Sequence, residues 1–172
     1  MNLIFETERL LFREFTTDDA QLIYELNSNP DVVKYVHEEP TTDLNVALSS
    51  IIDRIIPQYT NYGYGRWAMH LKESLEFIGW CGLKYRPERN EVDLGYRFKQ
   101  PYWGKGYATE AALTTLEYGF ASLQIPVITA MAHIDNTASL RVIEKCGMHF
   151  QRFEEVEGCP VKTYILSNPY TR

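Results

Sequence analysis

Residues 100–111 carry the spacing that most directly indicates chemistry. The segment reads QPYWGKGYATEA and lies between a strand-like run and a helix-like run. Gly104 and Gly106 allow backbone angles that other residues avoid, and they carry no side chain to hold an anion away from main-chain amides. The free N–H groups at a helix start, aided by Lys105, can then bind a phosphate group. The segment therefore predicts an anion site, although a plain strand-to-helix turn would use the same glycines.

Other common site motifs are absent from the sequence. It contains no G-x-x-x-x-G-K-[ST] run of a P-loop, and no third glycine completes a dinucleotide fingerprint in the segment. The 4 histidines and 3 cysteines show no metal-ligand spacing, so we expect neither a metal site nor a disulfide framework. No base or cation is evident beside Cys81 or Cys146, which argues against a cysteine acyl-enzyme.

The composition is that of one folded domain spanning residues 1–172. A net charge of -6 and a hydrophobic content of 45% argue against disorder and against a basic nucleic-acid-binding domain. No apolar run approaches the roughly 20 residues of a bilayer span, and no basic-then-apolar leader follows Met1. We therefore expect no membrane and no direct nucleic-acid partner. Because the cysteines have no evident disulfide partners, we also expect a cytoplasmic protein.

Short alternating elements must position the glycine-rich segment. Hydrophobic periodicity predicts strands over residues 9–15, 66–71, 77–85, 92–98, 127–133, 150–156 and 161–166. It predicts helices over residues 16–27, 44–56, 106–123 and 136–146, with Pro30 and Pro57 marking the ends of the first two. The three strands from 66 to 98 are expected to form an antiparallel meander, followed by a strand, helix, strand unit.

Several motifs together resemble the GNAT acetyltransferases, specifically the RimJ/RimL-like branch. They are ERLLFR at 8–13, IG at 78–79, DLGY at 93–96, the segment at 100–111, NTAS at 136–139 and EKCG at 144–147. The family's turn usually begins with Gln or Arg where this chain has Pro101, as Rim-type members commonly do. The resemblance covers nearly the whole chain. It implies an α/β (α+β) GNAT fold, with a mostly antiparallel sheet of six to seven strands, splayed between the fourth and fifth and flanked by four helices.

The resemblance also implies an activity and its ligand contacts. The activity is an N-acetyltransferase that passes acetyl directly from acetyl-CoA to a primary amine, on a small molecule or a protein N-terminus, without a metal. In the strand gap, main-chain groups of Tyr96, Arg97 and Phe98 are implied to bind the pantetheine. The implied pyrophosphate contacts are Gly104, Lys105, Gly106, Tyr107, Ala108 and Thr109. Asn136 is expected to contact the pantetheine region as well as to cap a helix. A monomer and a homodimer both fit such a fold.

Asp93 is the predicted general base. Period-two alternation places Asp93 on one strand face with Gly95 and Arg97, opposite Tyr96. The resemblance supports this choice, because many Rim-type sequences have an acid before Gly-Tyr. An exposed carboxylate or a simple partner for Arg97 is the alternative, and Glu91 is a weaker substitute. A main-chain N–H near Tyr96 or Arg97 is expected to stabilise the oxyanion.

Ser139 is the predicted acid for the departing thiolate. Many GNAT members use a tyrosine where this chain has Ile143, whereas Rim-type enzymes have a serine three residues after the asparagine. Ser139 matches that serine, although serine is also common in the first turn of a helix. The missing tyrosine and the open question of the base motivate a second function, a catalytically silent acyl-CoA sensor.

Other conspicuous residues carry weaker expectations. The aromatic residues Tyr59, Tyr62, Tyr64 and Trp67 are candidates for the acceptor pocket, with simple packing as the alternative. His37 is a further candidate for the same cleft. Acids beside a phosphate would repel it, so Glu110 and Glu117 are predicted to be solvated helix residues.

Overall fold

One eight-stranded sheet organises residues 2–36 and 38–171, which are the residues that the computed structural model describes. Its strands are β1 Leu3–Glu6, β2 Leu10–Glu14, β3 Arg66–Leu71, β4 Phe77–Arg86, β5 Glu91–Phe98, β6 Val127–His133, β7 His149–Val156 and β8 Cys159–Ser167. They lie in the order β1-β2-β3-β4-β5-β6-β8-β7. Strands β5 and β6 run parallel, and every other neighbouring pair of these strands is antiparallel.

The parallel pair separates soon after it forms. Its register contains Asp93 opposite Thr129 and Leu94 opposite Ala130, and no later pair. The remainder of β5, from Gly95 onward, therefore borders a gap instead of β6. This gap confirms the predicted splay between the fourth and fifth of the predicted strands.

Helices cover the two faces of the sheet unequally. They are α1 Ala20–Asn27, α2 Pro30–Val33, α3 Leu44–Ser50, α4 Ile56–Tyr62, α5 Tyr107–Glu117 and α6 Thr137–Lys145. The main core joins α5 and α6 to one face, which we call the back face, through residues such as Leu94, Leu116 and Ile143. A smaller core joins α1 and α3 to the front face, around Ile23 and Ala68.

The sheet has more strands, and the chain more helices, than predicted. Strand β1 was missed because its four residues are half-buried or exposed and show no clean alternation. Pro30 starts the short helix α2, after the Asn29 side chain accepts the Asp31 N–H at 2.9 Å, so it does not simply end α1. Pro57 does not end the second predicted helix either. A π-helical turn carries the chain into α4, with the Ile56 N–H bonded to the Ile51 carbonyl.

A charge network joins β5 to the edge strand β7 and to its neighbour β8. Glu154 accepts hydrogen bonds from Arg89, from Thr163 Oγ1 at 2.5 Å and from Arg152 Nε at 3.0 Å. Glu91 bonds to the same two arginines, at 3.0 Å from Arg89 and 2.8 Å from Arg152. Burial alone would raise the pKa of Glu154, but these hydrogen bonds outweigh it and lower the pKa to about 2.

We expect this network to weaken in acid. The pKa of Glu154 rises from about 2 in the folded state to its usual 4.5 on unfolding, so its carboxylate stabilises the fold above pH 4.5. That contribution is lost as the pH falls from 4.5 toward 2. Urea unfolding across this range should show a shallower pH dependence in Glu154→Gln than in wild type. Glu155→Gln, which changes the exposed neighbour, should keep the wild-type dependence. An unchanged slope in Glu154→Gln would assign the acid sensitivity to other groups.

Candidate active site

The turn before α5 presents main-chain donors to solvent. Gly104 has a φ of 71° and Gly106 a φ of 81°, both in the left-handed region. A Cβ at Gly104 would meet nothing within 4 Å, and one at Gly106 would meet Arg9 Nη2 at 3.5 Å, so the backbone conformation and not crowding requires glycine. The first helical bond runs from the Glu110 N–H to the Gly106 carbonyl at 3.1 Å, which leaves the preceding amides available to an anion. The structure brings together in this turn the predicted residues Gly104, Lys105, Gly106, Tyr107, Ala108 and Thr109.

Glu110 fastens this turn to the N-terminal strands, which corrects the prediction of a solvated acid. Its Oε1 accepts from Thr7 Oγ1 at 2.6 Å and from the Arg9 N–H at 3.0 Å, and its Oε2 accepts from Arg9 Nε at 2.6 Å. Arg9 Nη1 also donates to the Lys105 carbonyl at 3.0 Å. Burial would raise the pKa of Glu110, but the hydrogen bonds from Thr7 and Arg9 lower it overall. Glu117 is exposed, as predicted.

Replacing Arg9 with alanine is expected to weaken acetyl-CoA binding about three- to tenfold. The turn then loses its hydrogen bond from Arg9 to the Lys105 carbonyl, and one hydrogen bond typically contributes a free energy of that size. The guanidinium is 40% exposed, so the effect on folding stability should be small. Calorimetric titration should show the loss with acetyl-CoA and not with acetyl-pantetheine, which lacks the pyrophosphate. Lys72→Ala removes a cation paired with Glu6 away from the turn and should bind normally. Equal losses with both donors would mean that Arg9 acts on the whole cleft.

The main chain of β5 alternates between the gap and its neighbour β4. The Lys99 N–H donates to the Ile78 carbonyl of β4 at 2.8 Å, so Arg97, two residues earlier, also directs its main chain toward β4. The main-chain N–H and carbonyl groups of Tyr96 and Phe98 then point toward the gap. The Phe98 carbonyl accepts a hydrogen bond from Trp103 Nε1 at 2.9 Å. The main-chain groups that face the gap are therefore those of Tyr96 and the N–H of Phe98, because the Phe98 carbonyl is already bonded.

Two hydroxyl groups meet on the back side of the gap. Tyr96 OH of β5 lies 2.8 Å from Ser139 Oγ in the first turn of α6. The Ser139 N–H donates to Asn136 Oδ1 at 3.2 Å, so Asn136 caps α6. Ile143, at the position of the absent tyrosine, is 2% exposed and packs in the core. Hydrogen bonds thus link Tyr96 to Ser139 and Ser139 to Asn136.

Asp93 lies at the closed end of the gap, buried in an arginine pair on the front face. Its Oδ2 accepts from Arg66 Nη2 at 2.9 Å and from Arg86 Nε at 3.4 Å, and the residue is 2% exposed. Its Oδ1 has no hydrogen-bond partner among residues 2–36 and 38–171. A Cβ on Gly95 would lie 2.7 Å from Arg66 Nη2, so glycine leaves the space that this guanidinium occupies.

Both alternatives considered for Asp93 are wrong. It is neither exposed nor paired with Arg97, whose Nη1 donates to Asn27 Oδ1 at 2.7 Å and to Glu38 at 3.2 Å. Glu91, the substitute base, is held by Arg89 and Arg152 in the edge-strand network. The remaining arrangement is a carboxylate with one oxygen bound and the other unbonded, beside the point where the sheet opens.

Comparison with known proteins identifies the family of this chain. The family model described as "Acetyltransferase (GNAT) domain" matches residues 9–149. The chain belongs to the GNAT acetyltransferase family. An uncharacterized N-acetyltransferase p20 of Bacillus licheniformis is 31% identical over 94% of this chain and 93% of its own. A GNAT-family acetyltransferase structure from Bacillus anthracis superposes with a TM-score of 0.79 at 26% identity, covering 98% of this chain and 99% of that one. Spermidine N(1)-acetyltransferase of Escherichia coli K12 is 25% identical over 92% of this chain and 79% of its own.

As a GNAT enzyme, the protein is an acetyltransferase, and this family uses acetyl-CoA. The residues present fit that ligand, because the left-handed glycines leave the turn open and the first amides of α5 lack partners within their helix. The cysteines fit a direct transfer. Burial raises the pKa of Cys81 to about 12 and that of Cys146 to about 11, so both remain thiols near neutral pH.

The predicted acceptor residues separate into two groups. Trp67 is 1% exposed in the core, and Tyr59 OH donates to the Arg66 carbonyl and accepts from the Phe15 N–H at 3.1 Å, so these two pack. Tyr62 and Tyr64 line an open groove of about 710 Å³ at the N-terminal ends of β5 and β6. His37 lies outside the described residues.

Two possible features are absent from the described part of the chain. No group of three His, Cys, Asp or Glu side chains in residues 2–36 and 38–171 is arranged to hold a metal ion. None of the helices in those residues has the length and apolar character that a bilayer crossing requires.

The site contains groups that the sequence reasoning missed. Arg66 and Arg86, which bind Asp93, come from β3 and β4. Tyr96 was predicted to contribute only main-chain groups, whereas its side-chain hydroxyl also lies beside Ser139. Gly95 beside Asp93 was a usable signal, since an interior strand glycine often marks close approach of another group. Nothing local in the sequence indicated that the approaching group is Arg66.

Proposed function

We propose that the protein is an acetyl-CoA-dependent N-acetyltransferase that acetylates a primary amine directly, on a small molecule or at a protein N-terminus. The observation that carries this proposal is the gap between β5 and β6. Asp93 lies at its closed end, the Tyr96 and Ser139 hydroxyls lie on its back side, and the α5 turn follows its open end. A thioester bound along the gap, with its pyrophosphate at the turn, would place its carbonyl between the Asp93 carboxylate and the Ser139 hydroxyl.

The chemistry divides among named residues. The amine nitrogen attacks the thioester carbonyl, and Asp93 accepts the proton that the nitrogen loses. The Tyr96 main-chain N–H donates to the developing oxyanion, a contribution worth about 3–4 kcal/mol in other acyl transferases. As the C–S bond breaks, Ser139 donates a proton to the sulfur and recovers one from solvent, and Asp93 releases to solvent the proton that it accepted. The products are an amide and free CoA. A protein α-amine, with a pKa near 8, needs less help from the base than a lysine near 10.4.

Charge at the front face favours a cationic acceptor. Glu38, which is 48% exposed, pairs with Arg97. Glu157, which is 76% exposed, pairs with Arg86, which also contacts Asp93. The chain as a whole carries a net charge of -6, and these two exposed carboxylates attract a protonated amine and steer it to the base. The relative named as a spermidine N(1)-acetyltransferase makes polyamines reasonable first candidates. Pro101 and Ser139 support the RimJ/RimL-like branch and therefore peptide N-termini as the second candidates.

The alternative is a catalytically silent acyl-CoA sensor. One assay separates the two functions: CoA thiol release from acetyl-CoA is followed with spermidine, with peptides bearing different N-termini, and with no amine. Mass spectrometry then identifies the acetylated product. Acetyl-CoA binding without amine-dependent thiol release in any of these would support the sensor. We further propose a cytoplasmic enzyme, monomeric or homodimeric, since Cys81, Cys146 and Cys159 are all unpaired and buried.

Ser139→Ala tests the proton donor. We expect kcat to fall by roughly 10²-fold, the usual lower range for a general acid, with an unchanged dissociation constant for acetyl-CoA. Thr114→Val removes a hydroxyl that bonds to the Glu110 carbonyl within α5 and should leave kcat unchanged. A normal kcat for Ser139→Ala across pH would exclude Ser139 as the acid.

A further inference from the structure

The Tyr96 side chain bridges the two sides of the gap on its back side. It leaves β5 two residues beyond the last paired position, Leu94, and reaches the first turn of α6. Its hydroxyl lies 2.8 Å from Ser139 Oγ and 3.2 Å from the Ser139 carbonyl. No other element supplies a hydroxyl to Ser139 among the described residues, and the α6 position of the missing tyrosine holds the buried Ile143.

Burial determines the protonation of this phenol. It raises the pKa of Tyr96 above its usual value, and the hydrogen bond with Ser139 opposes that rise only in part. The neighbouring titratable groups are the Cys81 and Cys146 thiols, whose pKa values burial also raises. Tyr96 therefore keeps its phenolic proton near neutral pH, and this single O–H can donate to either oxygen of Ser139.

We propose that Tyr96 is a positioning residue for acyl transfer, whose hydroxyl donates to Ser139 Oγ and thereby directs the Ser139 O–H toward the departing sulfur. A free serine hydroxyl rotates among several acceptors, including nearby carbonyls. When Oγ accepts from Tyr96, its own hydrogen is turned away from the phenol and is available to another acceptor. The tyrosine hydroxyl that many GNAT enzymes supply from the helix is thus supplied here from β5, through the serine. This inference rests on the proposed function.

The test is a double-mutant cycle on kcat, with acetyl-CoA affinity measured separately. Tyr96→Phe removes only the hydroxyl and should lower kcat about tenfold, as expected for one hydrogen bond, with the dissociation constant for acetyl-CoA unchanged. Combining it with Ser139→Ala should cause no further loss, because the phenol acts only through the serine. Tyr164→Phe is the matched control. Tyr164 of β8 is 3% exposed, and its hydroxyl donates to Glu144 of α6, the helix that carries Ser139, at 2.8 Å. This variant should therefore keep wild-type kcat.

Three outcomes would overturn the role of Tyr96. They are a wild-type kcat for Tyr96→Phe, losses that multiply fully with Ser139→Ala, and a loss that appears entirely as weaker acetyl-CoA binding. The proposed function is judged separately, by whether the wild type acetylates any amine. If no amine is acetylated, hydrolysis of acetyl-CoA breaks the same C–S bond and the same cycle applies to its rate. Absence of amine acetylation would refute the proposed function, and absence of hydrolysis as well would refute this inference.

Discussion

Gly106→Val is expected to fold and to bind acetyl-CoA roughly a hundredfold more weakly or worse, because valine is strained in the left-handed conformation. Relaxing a φ of 81° toward negative values would turn the first amides of α5 away from the pyrophosphate. The new Cβ would lie 3.5 Å from Arg9 Nη2, an ordinary van der Waals contact, so the backbone conformation accounts for the expected loss. Wild type at a ligand concentration of 100 dissociation constants should melt roughly 5–10 °C higher, from about 2.7 kcal/mol of binding energy. The variant should show no such rise.

Gly147→Val is the matched control for this variant. Gly147 has the same φ of 81°, and a Cβ there would meet nothing within 4 Å. It follows the C-terminal end of α6, whereas Ser139 lies in the first turn of that helix. The same backbone strain should therefore lower the melting temperature of both unliganded variants similarly, while only Gly106→Val loses the ligand-dependent rise. A normal ligand-dependent rise in the melting temperature of Gly106→Val would show that the pyrophosphate does not bind at this turn.

Asp93→Asn is expected to lower both stability and turnover. Removing the carboxylate charge leaves the mostly buried Arg66 without its ion pair and leaves Arg86 with exposed carboxylate partners only, and breaking such a pair typically costs about 3–5 kcal/mol of unfolding free energy. Urea unfolding should show this loss. Glu25→Gln, which breaks an exposed pair with Lys99 at 3.5 Å, should cost at most about 1 kcal/mol. The general-base role predicts in addition a fall in kcat of roughly 10²-fold or more.

The two roles of Asp93 are separable by the choice of acceptor. An amine that is already neutral at pH 7 needs less proton removal, so the kcat penalty of Asp93→Asn should shrink with such an acceptor if Asp93 is the base. A purely structural role predicts the same penalty for every amine. A folded Asp93→Asn variant with wild-type turnover would move the base elsewhere and leave Asp93 as the anchor of Arg66 and Arg86.

Local patterns predicted most of the secondary structure but not every boundary. Alternation correctly placed Asp93 and Tyr96 on opposite faces of β5, and two glycines before an apolar helix predicted the turn. Proline misled the prediction at residues 30 and 57, because proline is tolerated in the first turn of a helix as well as after its end. The extra strand β1 pairs with β2, and an exposed four-residue run carries too little periodicity to predict it.

By itself, the sequence determined the elements, the left-handed turn before α5 and the motifs that resemble the GNAT family. Its periodicity and its glycines are local signals, and those features depend on neighbours along the chain. Only the tertiary structure decided which groups meet. Arg9 binds Glu110 from 101 residues away, Arg66 binds Asp93 from 27, and Tyr96 meets Ser139 from 43. Such contacts depend on strand order and register, which the packing of the whole sheet determines and no single segment encodes.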